Sequence, residues 1–482
     1  MRTPRGWFAG GVACALLAGC AAGPDYRAPA APTAQRYAAE PLDAGAQRFM
    51  PDRDIAADWW TAFGSTELNA LIERALSANV DLQAADAALR AAQETAAAQR
   101  SALFPSVDAQ LNSTRQTVAP VLSSPLDSGS TRYALHTAQL DISYSPDVFG
   151  LVRRQADAAD AQTQAQRFQG EAVRVTIATN VALTVIQSSA TRAQVDATRA
   201  MIDTGTRQLE LFRRQQQRGQ IGRADVTAQE AALAQVQATL PALEKQLAQQ
   251  RHQLALLLGQ LPADTADPAI ALDSLQLPSE LPLSLPSRLV AQRPDVRAAE
   301  AQLHAAGAQV GVAVANRLPN ITLTANTGSS ALQLSGLLGS GSGFWGVSAA
   351  LLQPLFDAGA LAHRERAAQA AYEQAAAQYR GAVLVAFQNV ADTLQAIQSD
   401  GRAHDASLVA EQAAQRSLEI ARRQQAAGSI GALPVLSAEQ ACRQAVLLRI
   451  QADANRLSDS IALFQALGGG WWNRTGALAD GR

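Results

Sequence analysis

From Arg153 to Arg218 about 65 residues pass without a proline. At 1.5 Å per residue a continuous helix of that length reaches roughly 100 Å. A counterpart runs from about Leu361 to Ala427, where Val383, Phe387, Val390, Leu394 and Ile397 keep the 4-3-4-3 spacing of a coiled-coil seam. Both stretches end at Gly-x-Ile-Gly, from Gly219 to Gly222 and from Gly428 to Gly431. Two glycines so close end a helix and turn the chain back. A return helix follows each turn, to about Gly259 and Gly468, and Pro434 suits the first turn of the second. A single rounded core cannot house such helices.

The resemblance between the two stretches is part of a larger duplication. Asn79–Leu89 aligns with Arg293–Leu303 at an offset of 214, and Arg213–Gly222 aligns with Arg422–Gly431 at 209. A period near 210 residues is a domain duplication rather than a solenoid repeat. The pattern divides the chain into a signal peptide (1–19), an extended segment (20–57), a first repeat (58–260), a Pro-rich linker (261–286), a second repeat (287–468) and a tail (469–482). Each repeat opens with a seven-residue seam: Leu68, Ala75, Leu82 and Leu89, then Leu289, Val296, Leu303 and Val310. These predict one helix at the start of each half.

Two segments of alternating polarity follow in each half, about 104–115 and 133–145, then 319–328 and 343–355. Val107, Ala109 and Leu111 alternate with Asp108, Gln110 and Asn112, and Ile321, Leu323 and Ala325 alternate with Thr322, Thr324 and Asn326. Each segment has about the 9–11 residues of a tilted membrane strand. A half-buried soluble hairpin would alternate in the same way; the export signal tips the reading toward the membrane.

That signal is the N-terminus. Arg2 and Arg5 precede an apolar run from Trp7 to Ala18, too short to span a membrane. Leu17-Ala18-Gly19-Cys20 resembles the bacterial lipobox, so Cys20 is the expected lipidation site, and Ala21 favours the outer membrane. No later run of about 18 apolar residues exists, so any span must be a β-barrel. Four strands cannot close a barrel and open edges are not tolerated in lipid, so several chains must share one; three give twelve strands.

Composition agrees. Apolar residues make up 48% of the 482, but aromatics only 5%, as expected of long helices with thin, alanine-rich interfaces. Net charge is −2, which argues against a nucleic-acid partner. Three cysteines give no disulfide framework, and the five histidines lack ligand spacing. Cys442 is expected to be a buried, inert thiol on an apolar helix face. Gly341–Gly346 matches G-x-G-x-x-G but leads into a strand pattern, not a helix. No catalytic constellation, metal site or cofactor is expected beyond the lipid on Cys20.

Gly23-Pro24-Asp25-Tyr26, Trp59-Trp60, Arg293-Pro294-Asp295 and the paired glycine turns together resemble the TolC/OprM type of outer membrane efflux protein, in its lipoprotein branch. The resemblance implies a mainly α fold with a small membrane β-barrel: a duplicated helix–β-hairpin–long helical hairpin, forming a homotrimeric α-barrel with a shared 12-stranded β-barrel. It implies a passive channel, anchored in the outer membrane and extending into the periplasm, that docks on a periplasmic adaptor and an inner-membrane pump. Gly219, Gly222, Gly428 and Gly431 would then be tip residues that meet the adaptor. Asp225 and Ser437 would stand at the aperture, although the second half has Pro434 and Ser437 where some members carry acids. Asp225 has a second reading, as a carboxylate stabilised by a helix N-terminus. Arg213, Arg214, Arg422 and Arg423 are either interhelix ion-pair partners or a solvated face. The rival to a channel is a periplasmic adaptor lipoprotein, but adaptors usually carry one hairpin among many strands.

Overall fold

The computed structural model describes residues 23, 25–30, 32, 36–37, 47–119, 121, 130–264 and 268–474. The signal segment and Cys20 lie outside these residues. The chain divides into two compact units, and each draws on several separate segments of sequence.

The first unit (1–29, 89–166 and 299–379) holds the four-stranded sheet. Strands Ser106–Thr117, Arg132–Tyr144, Asn320–Ala331 and Gly343–Leu352, here β2, β3, β5 and β6, lie in that order and are antiparallel throughout. The two hairpins come from different repeats, and the β3–β5 pairing joins them, from His136 opposite Ala331 to Tyr144 opposite Leu323. Among the described residues β2 and β6 have no outer neighbour.

Directly opposed residues share a face of a sheet. Val107, Ile142, Ala325 and Val347 therefore form one row across all four strands, and Ala109, Leu140, Thr327 and Trp345 another. The opposite face carries Asp108, Asp141, Asn326 and Gly346 in one row, and Gln110, Gln139, Gly328 and Phe344 in the next. One face is thus mainly apolar and the other mainly polar. Neither is packed away: Val347 is 75% exposed and Trp345 79%.

The same unit ties down the start of the chain. Gly23 has φ +93°, and a Cβ there would stand 2.4 Å from the Gly311 Cα, so two glycine backbones meet where no side chain fits. Asp25 accepts a 2.8 Å hydrogen bond from Arg154, and Tyr26 stacks on His304 with ring centroids 4.1 Å apart. These contacts account for Gly23, Asp25 and Tyr26 of the motif, and Pro24 lies outside the described residues.

The second unit (30–88, 167–298 and 380–482) contains the glycine turns, the return helices and the greater part of the long helices of both hairpins. Helices α1 (Thr66–Ala78) and α2 (Val80–Ser101) open the first repeat, which continues in α3 (Leu151–Gln217) and α4 (Arg223–Leu257). The second repeat has α5 (Pro286–Gln292), α6 (Pro294–Ala315), α7 (Ala360–Ala426) and α8 (Ala432–Ala466). The 67-residue lengths of α3 and α7 follow from the absence of proline. Val383, Val390, Leu394 and Ile397 of the seam are buried, each contributing about 1.5–3 kcal/mol. In α3, Ala178, Val181, Ala182, Val185, Ile186 and Ala190 are all buried, so small residues let this segment be surrounded.

The single opening helix expected in each half is instead two helices. The first breaks at Asn79, with ψ 132°, and the second at Arg293, with ψ 122°. Asn79 Oδ1 accepts from the Asp81 and Leu82 amides, capping α2, while its Nδ2 donates to the Leu257 carbonyl at 2.9 Å. Arg293 donates to the Ala466 carbonyl at 3.0 Å and makes a forked pair with Asp295. Leu257 and Ala466 are the last residues of the two return helices, so both breaks satisfy an otherwise free C-terminal carbonyl. Proline at 294 also disfavours α conformation at Arg293.

A short parallel pair, β1 (Arg48–Pro51) with β4 (Glu280–Leu283), brings part of the Pro-rich segment into this unit. Trp59 is buried and stacks on Phe464 at 5.2 Å. Trp471 is buried too, and its indole N–H donates to the Gln292 carbonyl at 2.6 Å. Arg474 then pairs with Glu171, so the chain stays docked through this residue.

Candidate functional site: the sheet face and the helical turns

At the first turn Gly219 adopts φ +68°, which glycine reaches without a Cβ penalty. Its N–H donates to the Gln216 carbonyl, and the Gln220 N–H to that of Gln215, closing the α3 C-terminus as a glycine-capped end. The second turn repeats this: Gly428 has φ +71°, its N–H donates to the Gln425 carbonyl, and that of Ser429 to Gln424. Gly222 and Gly431 have a different role. Both are extended residues preceding the return helices.

The two return helices differ in their first turn. Asp225 Oδ2 accepts a 3.1 Å hydrogen bond from the Gly222 N–H, so this carboxylate is engaged at the N-terminus of α4. In α8 the corresponding region has Pro434 and the exposed Ser437, and no acid lies in the first turn. Below the turns, Leu209, Phe212, Val226, Leu233 and Ala432 form one apolar cluster, bringing the second turn's first helical residue against the first hairpin.

The arginines before the turns are partly resolved into pairs. Arg213 donates to Glu230 at 2.8 Å and Arg422 to Glu439 at 3.0 Å. Each links the two helices of one hairpin, and the two pairs are related by the repeat offset of 209. Arg423 pairs along its own helix with Glu419. The glutamates carried no sequence signal of their own, but the spacing of 17 to the arginine in both halves could have found them.

Farther along α7 and α8, Asp459 is pushed up to about 7 by burial first, then by the charge of Asp400 and a hydrogen bond with it. A folded-state value above the unfolded one near 3.9 means that the folded chain holds the proton longer. The stabilisation is complete below about pH 4 and is lost as pH rises toward 7. Asp459→Asn, which keeps a donor toward Asp400, should therefore remove a fall in stability between pH 5 and 8 of about 1–2 kcal/mol per chain after solvent screening. Thermal midpoints at pH 5 and 8 measure it; an unchanged difference between the two would refute the shared proton.

Cys442 is half-buried rather than sealed in a core. Burial raises its thiol above the usual range, with the Glu411 charge acting in the same direction. No group of three or more metal-ligating side chains occurs among the described residues, and no described helix is long and apolar enough to cross a membrane.

An exposed sheet with one mainly apolar and one mainly polar face, in a duplicated chain with long helical hairpins, matches the plan of an outer-membrane channel protein. The comparisons name the family. A family model described as outer membrane efflux protein matches residues 71–260 and 285–469, and the chain belongs to that family. It is 33% identical over 420 residues to the pyoverdine export outer membrane protein OpmQ of Pseudomonas putida, covering 86% of this chain and 88% of the relative. It is 32% identical to the toluene efflux pump outer membrane protein TtgF of Pseudomonas putida, covering 95% of each. The solved outer-membrane channel OprN superposes with a TM-score of 0.86 at 27% identity, covering 94% of this chain and all of that one. The protein is an outer membrane efflux channel.

Proposed function

We propose that three copies of this chain share one conduit, each contributing four strands to a twelve-stranded barrel in the outer membrane and two helical hairpins to a tube in the periplasm. The observation that carries this reading is the sheet. It has a bare apolar face, a polar reverse face and, among the described residues, two edges without neighbours, and lipid tolerates such edges only in a closed barrel. Twelve strands leave a polar interior wide enough for water, so small organic solutes pass without a dedicated pocket.

The conduit does no chemistry and takes its drive from an inner-membrane pump through a periplasmic adaptor. Gly219, Gly222, Gly428 and Gly431 form the surface that meets the adaptor. Asp225 lies at the aperture, where its hydrogen bond to Gly222 couples its charge to the turn, and Ser437 marks a second level without charge. Lipid on Cys20 is a supplementary anchor, because a closed barrel already spans the membrane. A rival role as an adaptor would need neither a sheet with one bare apolar face nor a shared barrel.

The test is a Cys20→Ser variant lacking the lipid. It is expected to require detergent, to have the mass of a trimer and to conduct in planar bilayers. A monodisperse monomer that stays soluble without detergent would overturn the reading.

A further inference from the structure

The duplication supplies a template for the two outer edges of the sheet. Element by element, the repeats correspond at fixed offsets. β2 (Ser106–Thr117) maps onto β5 (Asn320–Ala331) at 214, and α3 (Leu151–Gln217) onto α7 (Ala360–Ala426) at 209. Val107 faces Ile142 in one hairpin and Ile321 faces Leu351 in the other, so β3 maps onto β6 at 209 as well. Within the chain, the second strand of the first repeat pairs with the first strand of the second repeat, β3 with β5. The edges equivalent to these two are β6 and β2. Neither has an outer neighbour among the described residues, and four strands are too few to bring them together in one chain. The helices repeat the asymmetry. Val175 of α3 is 8% exposed, and a Cβ on Gly469 of the second repeat would stand 2.8 Å from its side chain. Leu384, the equivalent of Val175 in α7, is 71% exposed. The second repeat covers the first, and nothing within the chain covers Leu384 in the same way.

We infer that β6 of one copy pairs with β2 of the next in the register that β3 and β5 already use. The pairing rests on the shared barrel and adds its junction residue by residue. Each β3 position is raised by 209 and each β5 position lowered by 214. His136 opposite Ala331 then becomes Trp345 opposite Thr117 of the next copy, and Tyr144 opposite Leu323 becomes Gln353 opposite Ala109. Faces are conserved. Leu351, 66% exposed, meets Leu111, 70% exposed, on the apolar side, and Ser348 meets Thr114 on the polar side. A slip of one residue would set Leu351 against Gln110 or Asn112 and mix the two faces. A slip of two keeps the faces but shifts one repeat about 7 Å along its strands. Both repeats enter the sheet from their helices through connections of equal length, Ser101 to Ser106 and Ala315 to Asn320, which disfavours such a shift. Contacts of this head-to-tail kind are the ones that close into rings.

The test is disulfide trapping in the full-length protein, in native outer membranes and on a Cys442→Ser background. Copper phenanthroline should oxidise the double variant Ser348→Cys with Thr114→Cys to dimers and trimers that survive heat in detergent and revert with reductant. Ser348→Cys with Asn112→Cys, and Ser348→Cys with Gln116→Cys, each two residues off, should join roughly tenfold more slowly, because opposed Cβ atoms lie about 4.5–5.5 Å apart and diagonal ones about 7–8 Å. Ser143→Cys with Thr324→Cys, opposed on the same face within one chain, controls for access of the oxidant. Each variant is first weighed in mild detergent without oxidant. If it has the mass of a trimer and a slipped pair joins fastest, or only the control pair joins, the register is overturned and the shared barrel stands. If it has the mass of a monomer, both fall.

Discussion

Val347→Arg should abolish insertion into bilayers while leaving the helical hairpins folded. Val347 stands in the row with Val107, Ile142 and Ala325, midway along β6, and is 75% exposed in the single chain. On a lipid-facing position near the bilayer midplane an arginine costs about 2–4 kcal/mol, and three copies in one barrel bring this to roughly 6–12 kcal/mol. The matched control is Ser348→Arg, one residue on and therefore on the polar face, where Ser348 meets Thr324 at 2.7 Å. That variant should insert and change only conductance or ion preference. Heat-resistant trimer in outer membrane fractions and single-channel current read the two. Normal insertion by Val347→Arg, or failure of both variants alike, would mean that the apolar face does not meet lipid.

The second large effect is expected at Arg293. The residue is 8% exposed, and its guanidinium holds Asp295 by two hydrogen bonds and the Ala466 carbonyl by a third. Arg293→Ala removes all three and leaves the end of α8 with an unsatisfied carbonyl, at a cost of about 2–4 kcal/mol. Arg293→Lys keeps the charge but cannot fork onto Asp295, and should fall between. The counterpart Asn79→Ala loses one cap and one carbonyl bond, about 1–2 kcal/mol. Thermal midpoints rank the three, and hydrogen exchange should show faster opening around 286–296 and 460–468 for Arg293→Ala. A midpoint indistinguishable from the parent would deny Arg293 its part in holding α8.

The two breaks also show where local pattern stops informing. The seam from Leu289 to Val310 continues through Arg293 because a one-residue interruption barely disturbs a seven-residue repeat. Pro294 was the available signal, since it disfavours α conformation in the residue before it. Asn79 was the weaker one, a preferred capping residue within an otherwise helical run. The short β1–β4 pair had no usable signal: four residues without clear alternation meet only because their partners lie some 230 positions away. Cys442 was placed in an inert core because helical spacing reveals an apolar face and not a gap in its packing.

What the sequence determined by itself is what depends on neighbours along the chain. The length of α3 and α7 follows from the missing prolines, their ends from Gly219 and Gly428, and the polarity of each strand from its period of two. The duplication then forces the same plan twice. The tertiary structure alone decided what depends on distant partners. It placed β3 against β5, and so merged two hairpins into one sheet whose apolar residues share a face. It set Trp59 on Phe464 and gave the Arg293 guanidinium the Ala466 carbonyl. Pairing across more than a hundred residues is selected by the free energy of the whole arrangement, and no local spacing encodes it.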